Sequence, residues 1–319
     1  MALNNPIMAR GAFLLLVSIL CSPASPGFQA DQSRPPAPAP FRFRVPVDEI
    51  SLRFHASDHS GKPLARLTVS DLQLSDNGKL QSDILTLQAL PNLPIRAGFL
   101  FDVSASVLRD IDFYQSVIAV YLSRLLKQGV DQAFVMQFDR ETARIQNWTG
   151  SGSAVLAAVG RVGPQANRYA PLTAIFDSLY TTCRDQWPKQ SDATGNFILL
   201  FTDGEDNASH VYLSEAVDMC QRSHVAIYVF DSRRSSRSSD GHNAMNDLAL
   251  QTGGRAFIHP RREEIWRDLQ MMEEEQRNQY FLVYKPGFLT TDGTFHRIGL
   301  QIPGARVVAR SGYYAFARP

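Results

Sequence analysis

Asp102-Val103-Ser104-Ala105-Ser106 sets a carboxylate and two hydroxyls at alternate positions directly after the apolar run Ile95 to Phe101. Alternate residues of an extended chain point to the same side, so these three oxygens can turn inward together. Thr173 opens a predicted helix, and Asp203 stands where the apolar run Phe197 to Phe201 has ended and the chain turns on Gly204. Ligands of an open α/β sheet bind outside the carboxyl ends of its strands, so these segments are expected at one edge. Two carboxylates and three hydroxyls are hard oxygen donors, suited to Mg²⁺, or Mn²⁺ or Ca²⁺, rather than to a thiophilic metal. With neutral Ser and Thr oxygens around it, such an ion keeps part of its charge and still seeks an anion, which a partner's Asp or Glu would supply. Taken singly, Ser104 and Ser106 also read as helix caps and Asp203 as a turn residue. The metal reading rests on all five together.

The elements that must hold these residues follow from the apolar pattern. Ile95–Phe101 is a nearly continuous apolar strand, and Val107 to Leu125 carries apolar residues at helical spacing. Strands are expected at 133–138 and 144–148 as a hairpin, then a helix from Thr173, a strand at 197–202, a helix at 213–223 and a strand at 225–230. A helix at 243–251, stopped by Gly253-Gly254, a strand at 255–259 and a helix at 262–277 complete the alternation. Alternating strands and helices imply a Rossmann-like, doubly wound, mostly parallel sheet covered on both faces. On either side the pattern turns to β: residues 41–92 alternate (Ile50, Leu52, Phe54) with turns at Ser60-Gly61 and Asn77-Gly78, and strands are expected at 280–284, 295–302 and 307–314. Each flank alone offers about three one-faced strands, which is marginal in isolation. Residues 41–92 and 279–319 are therefore expected to pack as one small β-sandwich-like domain around an α/β domain at 93–278.

Residues 1–24 read as a signal peptide, with Arg10 before the apolar stretch Gly11–Leu20 and small residues at Ser22 and Ala24. Residues 25–40 form a Pro/Ala-rich linker. The expected location is exported: periplasmic, envelope-associated or secreted, with no membrane span after signal cleavage. Cys21 leaves with the signal, and Cys183 and Cys220 are then either a disulfide, which an oxidising compartment permits, or two inert buried thiols. The 319 residues are 44% hydrophobic and 20% charged, a soluble globular balance, and 32 basic residues against 31 acidic ones leave no electrostatic footprint for nucleic acid. The seven His residues show no metal spacing, and the chain contains no G-x-S-x-G, P-loop or G-x-G-x-x-G pattern. A catalytic nucleophile is missing, and an enzyme is not expected.

The composite of D-x-S-x-S after the first sheet strand, Thr173, and Phe201-Thr202-Asp203-Gly204 resembles the von Willebrand factor type A (VWFA) domain over about residues 93–262. In that family, the metal-ion-dependent adhesion site (MIDAS) uses two serines directly, a threonine directly or through water, and aspartates mainly through water. By motif position these roles fall on Ser104, Ser106, Thr173, Asp102 and Asp203. The whole chain is similar to bacterial secreted VWFA-related proteins, whose terminal strands end in Gly-Tyr, here Gly312-Tyr313. It departs from the family at Ala105, where many relatives have glycine, and at Pro171-Leu172, where a more flexible pair is common.

The resemblance implies an exported adhesion-type module that captures an acidic side chain of a protein partner, in the cell envelope or beyond it, through the bound cation. The alternatives are a metal-assisted hydrolase of phosphate or ester substrates and a structural envelope protein with a vestigial site. Arg233, Arg234 and Arg237 form the densest basic cluster, in a loop at the same edge. They read either as a solvated flexible segment or as a device that steers an acidic partner inward.

Overall fold

The structure, a computed structural model, describes residues 49–104, 106–124, 126–163, 172–187, 193–231, 239–258 and 262–316. The expected signal peptide and linker, Pro171, and the Arg233, Arg234 and Arg237 cluster lie outside the described residues.

Continuously apolar runs become strands buried on both faces, and the amphipathic stretches between them become helices that cover those faces. In chain order, four strands come first: β1 (Ile50–Ser57), β2 (Gln73–Asp76), β3 (Lys79–Leu80) and β4 (Ile84–Leu90). The α/β region follows with β5 (Ile95–Asp102), α1 (Ile111–Arg124), β6 (Gln132–Phe138), β7 (Thr142–Thr149), α2 (Gly152–Val159) and α3 (Ile175–Gln186). It continues with β8 (Gly195–Phe201), α4 (Leu213–Arg222), β9 (Val225–Asp231), α5 (Ser239–Thr252), β10 (Arg255–Ile258) and α6 (Arg262–Arg277). The chain closes with β11 (Gln279–Tyr284), β12 (Phe295–Gln301), β13 (Arg306–Ala309) and β14 (Gly312–Tyr314).

The central sheet has the order β10-β9-β8-β5-β6-β7 and is parallel except for β7, which returns antiparallel to β6 as the hairpin pattern indicated. Helices α1, α2 and α6 share a core with one face, and α3, α4 and α5 with the other. This is the doubly wound, mostly parallel architecture expected from the sequence. Phe101, Phe201, Phe230 and Phe257 stand in register across four parallel strands. Their rings stack at 4.7, 5.5 and 4.7 Å, making an apolar floor under the carboxyl edge.

At the opposite edge a buried ion pair fixes where the strands begin. Asp131 accepts hydrogen bonds from the Ile95 N–H (2.8 Å) and the Lys127 N–H (2.7 Å), and both of its oxygens receive the Arg277 guanidinium. Arg277 also donates to the Leu93 carbonyl and to Glu273, so the end of α6 is tied to the start of β5. Removing one partner of such a pair leaves a buried charge unpaired, at a cost of about 3–5 kcal/mol.

The flanking segments pair strand with strand. One sheet has the order β13-β1-β11-β4, the other β14-β12-β2-β3, and each draws strands from both ends of the chain. Their facing sides share one core that includes Leu52, Phe54, Leu74, Leu282, Ile298 and Tyr313. Tyr284 and Tyr313, from different sheets, both donate to Asp76, at 2.8 and 2.9 Å.

Three local readings need correction. The single strand expected at 307–314 is two: β13 pairs with β1 and β14 with β12. Between them Arg310 donates to the Ser51 carbonyl and Ser311 to the Leu250 carbonyl, bending the chain onto the end of α5. Helix α2 had no counterpart in the sequence reading, because GSAVLAAV is short and apolar nearly all round. The helices placed at 107 and 243 begin at Ile111, after a 3₁₀ turn over Leu108–Asp110, and at Ser239.

The pairing left open for the cysteines is made: Cys183 in α3 and Cys220 in α4 form a disulfide with Cα atoms 5.0 Å apart. Among the described residues no helix is long and apolar enough to cross a membrane.

Every strand of the central sheet lies within residues 93–278, whereas β1 and β4 find their partner strands only beyond it, and β2 has besides β12 only the two-residue β3. Residues 93–278 expressed alone are therefore expected to unfold cooperatively in urea, and residues 41–92 alone to lack a folded core. A monomeric, cooperatively melting 41–92 fragment would contradict this division.

Candidate metal centre

Strands β5 and β8 are adjacent, parallel and in register up to Phe101 opposite Phe201. They deliver Asp102 and, two residues past Phe201, Asp203 to the same edge, where both are about 99% buried or more. The Val103 N–H donates to the Phe138 carbonyl and so extends the ladder (2.9 Å). The chain then turns, with the Ser104 carbonyl accepting from the Val107 and Leu108 N–H groups. Gly204 makes the second turn at φ +78, a left-handed conformation that costs a side-chain-bearing residue energy, and its N–H donates to Thr202 Oγ1.

Four of the five expected side chains form one connected oxygen set. Asp102 Oδ1 accepts from the Ser104 N–H at 2.8 Å, and Ser104 Oγ lies 3.2 Å from Ser106 Oγ. The Ser106 hydroxyl donates to Asp203 Oδ2 at 2.5 Å. On its other side Asp102 Oδ2 accepts from Thr202 Oγ1 (2.8 Å), and Asp203 Oδ1 accepts from the Glu205 N–H (3.2 Å). The serine hydroxyls therefore face the acids. The local cap of the following turn is the Ser104 carbonyl, not its hydroxyl.

Thr173 is buried at the same edge, one residue before the Ala174 N-cap of α3, and its placement comes through its backbone. Its N–H donates to Asn207 Oδ1 (2.7 Å), and its carbonyl accepts from the Asn207 and Ala208 N–H groups (3.0 and 3.1 Å). The Ala174 N–H donates to the Asp139 carbonyl, just beyond β6 (2.9 Å).

The rest of this clamp was not recognised from the sequence. Asp206 accepts from the Ile175 N–H (2.8 Å) and from the Ser209 hydroxyl (2.6 Å). Ser209 Oγ in turn accepts from the Phe176 and Asp177 N–H groups. Asp177 reciprocates by accepting from the His210 and Val211 N–H groups (2.9 and 2.7 Å). The loop after β8 thus satisfies the open N–H groups at the start of α3, and α3 caps the loop. A cap normally stands just before its own helix in sequence. These caps lie about thirty residues downstream of the helix they serve, so no spacing rule could have found them. Thr202 escaped notice for a similar reason, since it read as the last strand residue.

The electrostatics favour a cation. Burial, with the neighbouring Asp203 charge adding to it, pushes the Asp102 carboxyl up to about 6, against hydrogen bonds from Ser104 and Thr202 that pull it down. A divalent ion among these oxygens would offset both the desolvation and the repulsion. The donors fit such an ion: acids and hydroxyls only, connected at hydrogen-bonding distances, at a strand edge. Among the described residues no group of three or more His, Cys, Asp and Glu is placed to hold a metal. With two acids, this set is defined by its hydroxyls.

No protein-family model matches the chain, and no curated protein matches it significantly. Among solved structures the chain is similar to proximal thread matrix protein 1 from the mussel byssus, with TM-score 0.46 and 14% identity, covering 58% of this chain and 49% of that one. It therefore spans about half the length of the mussel protein. A structure of that protein described as having a zinc occupied MIDAS motif gives TM-score 0.45 and 14% identity over 58% of this chain and 48% of that one. The protein BatB from Bacteroides thetaiotaomicron gives TM-score 0.45 and 15% identity over 57% of this chain and 100% of that one.

The clamp separates two adjacent acids. Asp206→Ala is expected to lower the unfolding free energy by about 1–2 kcal/mol, the usual cost of a lost helix cap, whereas exposed Glu205→Ala should stay within about 0.5 kcal/mol of the parent. Urea unfolding measures both, and equal effects would contradict the capping role.

Proposed function

We propose that this chain is an exported binding module of the VWFA type, in which Asp102, Ser104, Ser106, Thr173 and Asp203 hold a divalent cation and a protein partner donates an Asp or Glu. The observation that carries the proposal is the connected set: two buried carboxylates at the ends of neighbouring strands, linked from Asp102 through the Ser104 N–H and the Ser104 and Ser106 hydroxyls to Asp203. The bound cation would supply positive charge to a partner carboxylate. The protein supplies the rest. Ser104 and Ser106 offer neutral donors that leave the ion short of negative charge, the β8–α4 loop sets Thr173, and the aromatic row excludes water from beneath. Mg²⁺ is the first candidate by donor hardness, with Mn²⁺ and Ca²⁺ also compatible. The buried disulfide supports export, because such bonds persist in oxidising compartments.

Binding is favoured over turnover by how the acids are used. Asp102 is held by Ser104 and Thr202, and Asp203 by Ser106 and Glu205, which commits the carboxylates and leaves neither as an evident general base. The module is therefore proposed as a non-enzyme.

Calorimetry with Mg²⁺ or Mn²⁺ tests the site. Saturable binding is expected, at least about tenfold weaker in Asp203→Asn, a loss on the order of 1.4 kcal/mol. The apo form of that variant should melt no lower than the parent, since one of two facing charges is gone. Unaltered affinity would refute the site. Capture of an acidic partner lost on adding EDTA supports the binding reading, whereas metal-dependent ester or phosphate turnover abolished by Asp203→Asn would replace it with the hydrolase.

A further inference from the structure

Helices α3 and α4 are joined at both ends, by different chemistry. At the metal edge the join is the hydrogen-bonded clamp: Asn207 on Thr173, Asp206 on Ile175, Ser209 on Phe176 and Asp177, and Asp177 back on His210 and Val211. At the far end it is covalent, between Cys183 and Cys220, with the Ser223 hydroxyl donating to the Cys183 carbonyl alongside (2.9 Å). Leu179, Ala216 and Val217 fill the space between. From Ile175 to Cys183 is about 12 Å of helix, so α3 is a short rigid lever with Thr173 at one end and the disulfide at the other.

The sequence separation between the two cysteines is 37 residues, and the ring they close holds β8, Asp203, the clamp loop and most of α4. Thr173 lies outside that ring and reaches Asp203 through the hydrogen bonds of Asn207 and Ala208 and through the position of α3. Hard divalent ions hold their oxygen ligands at roughly 2.0–2.6 Å, so a slide of α3 along α4 by about 1 Å would take Thr173 out of range. The clamp resists such a slide through part-buried hydrogen bonds, but at the exposed Asn207 and His210 water can compete for them. The disulfide resists it without competition.

We propose that the Cys183–Cys220 disulfide is a positioning element of the metal site: its formation sets α3 against α4 and thereby sets Thr173 against Asp203, so full metal affinity is reached only in the oxidised protein. The inference rests on the metal-binding reading given above. The two thiols give up two protons and two electrons to a disulfide-class oxidant, which leaves as a dithiol, and one S–S bond forms. Both sulfurs are fully buried afterwards. Thiolate attack is blocked unless the helices part, so the step is a single maturation event and not a reversible switch.

The test compares the oxidised protein with Cys183→Ala/Cys220→Ala under conditions where both are folded by circular dichroism. Mn²⁺ affinity is read by calorimetry, and amide hydrogen exchange is read at Ile175, Phe176 and Asp177. The expected result is Mn²⁺ binding weakened about tenfold, with faster exchange at those three amides and unchanged exchange in β5 and β8. Equal affinity and equal exchange would overturn the inference and leave the bond as a staple. Should the alanine pair fail to fold, Cys183→Val/Cys220→Ala, closer in volume, is read in the same way. No Mn²⁺ binding by the oxidised protein itself would overturn the metal reading and this inference with it, whereas binding that survives loss of the disulfide removes this inference only.

Discussion

Two neighbouring parallel strands that are apolar on both faces carry their polar side chains near their ends. Strand β8 is buried at every residue and β5 at all but Arg96, and they run in register until Phe101 and Phe201. Asp102 and Asp203 are therefore forced together at one edge, sheltered from water, with like charges facing. Much of the remaining local structure answers that constraint. Thr202 and the Ser104 N–H hold Asp102, Ser106 and the Glu205 N–H hold Asp203, and Gly204 turns the chain away before another side chain can intrude.

The cost of gathering acids is met elsewhere in the fold. The stacked aromatic row across β5, β8, β9 and β10 makes the ground beneath the site rigid and dry. The Asp131–Arg277 pair fixes the amino end of β5. Site and clasp thus lie at opposite ends of β5. The raised Asp102 carboxyl fits a site that gives up stability for function, as buried facing charges do.

The sheet was legible because parallel strands buried on both faces leave an unbroken apolar signature, and FLF runs straight into Asp102 while FILLF reaches Asp203 after Thr202. The oxygen set was legible because D-x-S-x-S and F-T-D-G stand at strand ends, where ligands of such sheets bind. What escaped depends on partners distant in the chain. Asp206, Asn207 and Ser209 cap a helix that precedes them, α2 lacks a polar face to give it a period, and the break between β13 and β14 follows from Arg310 and Ser311 anchoring to β1 and α5. The cysteine pairing was undecidable in advance because it depends on how α3 packs on α4, which neither helix encodes alone.

The central claim is that one divalent ion sits among these particular oxygens, and anomalous diffraction at the manganese edge tests it most directly. For crystals grown with Mn²⁺, one peak is predicted at that strand edge, within roughly 2.0–2.6 Å of the Ser104 and Ser106 hydroxyl oxygens. A peak elsewhere on the chain, with the Ser106 hydroxyl still donating to Asp203, would contradict the account.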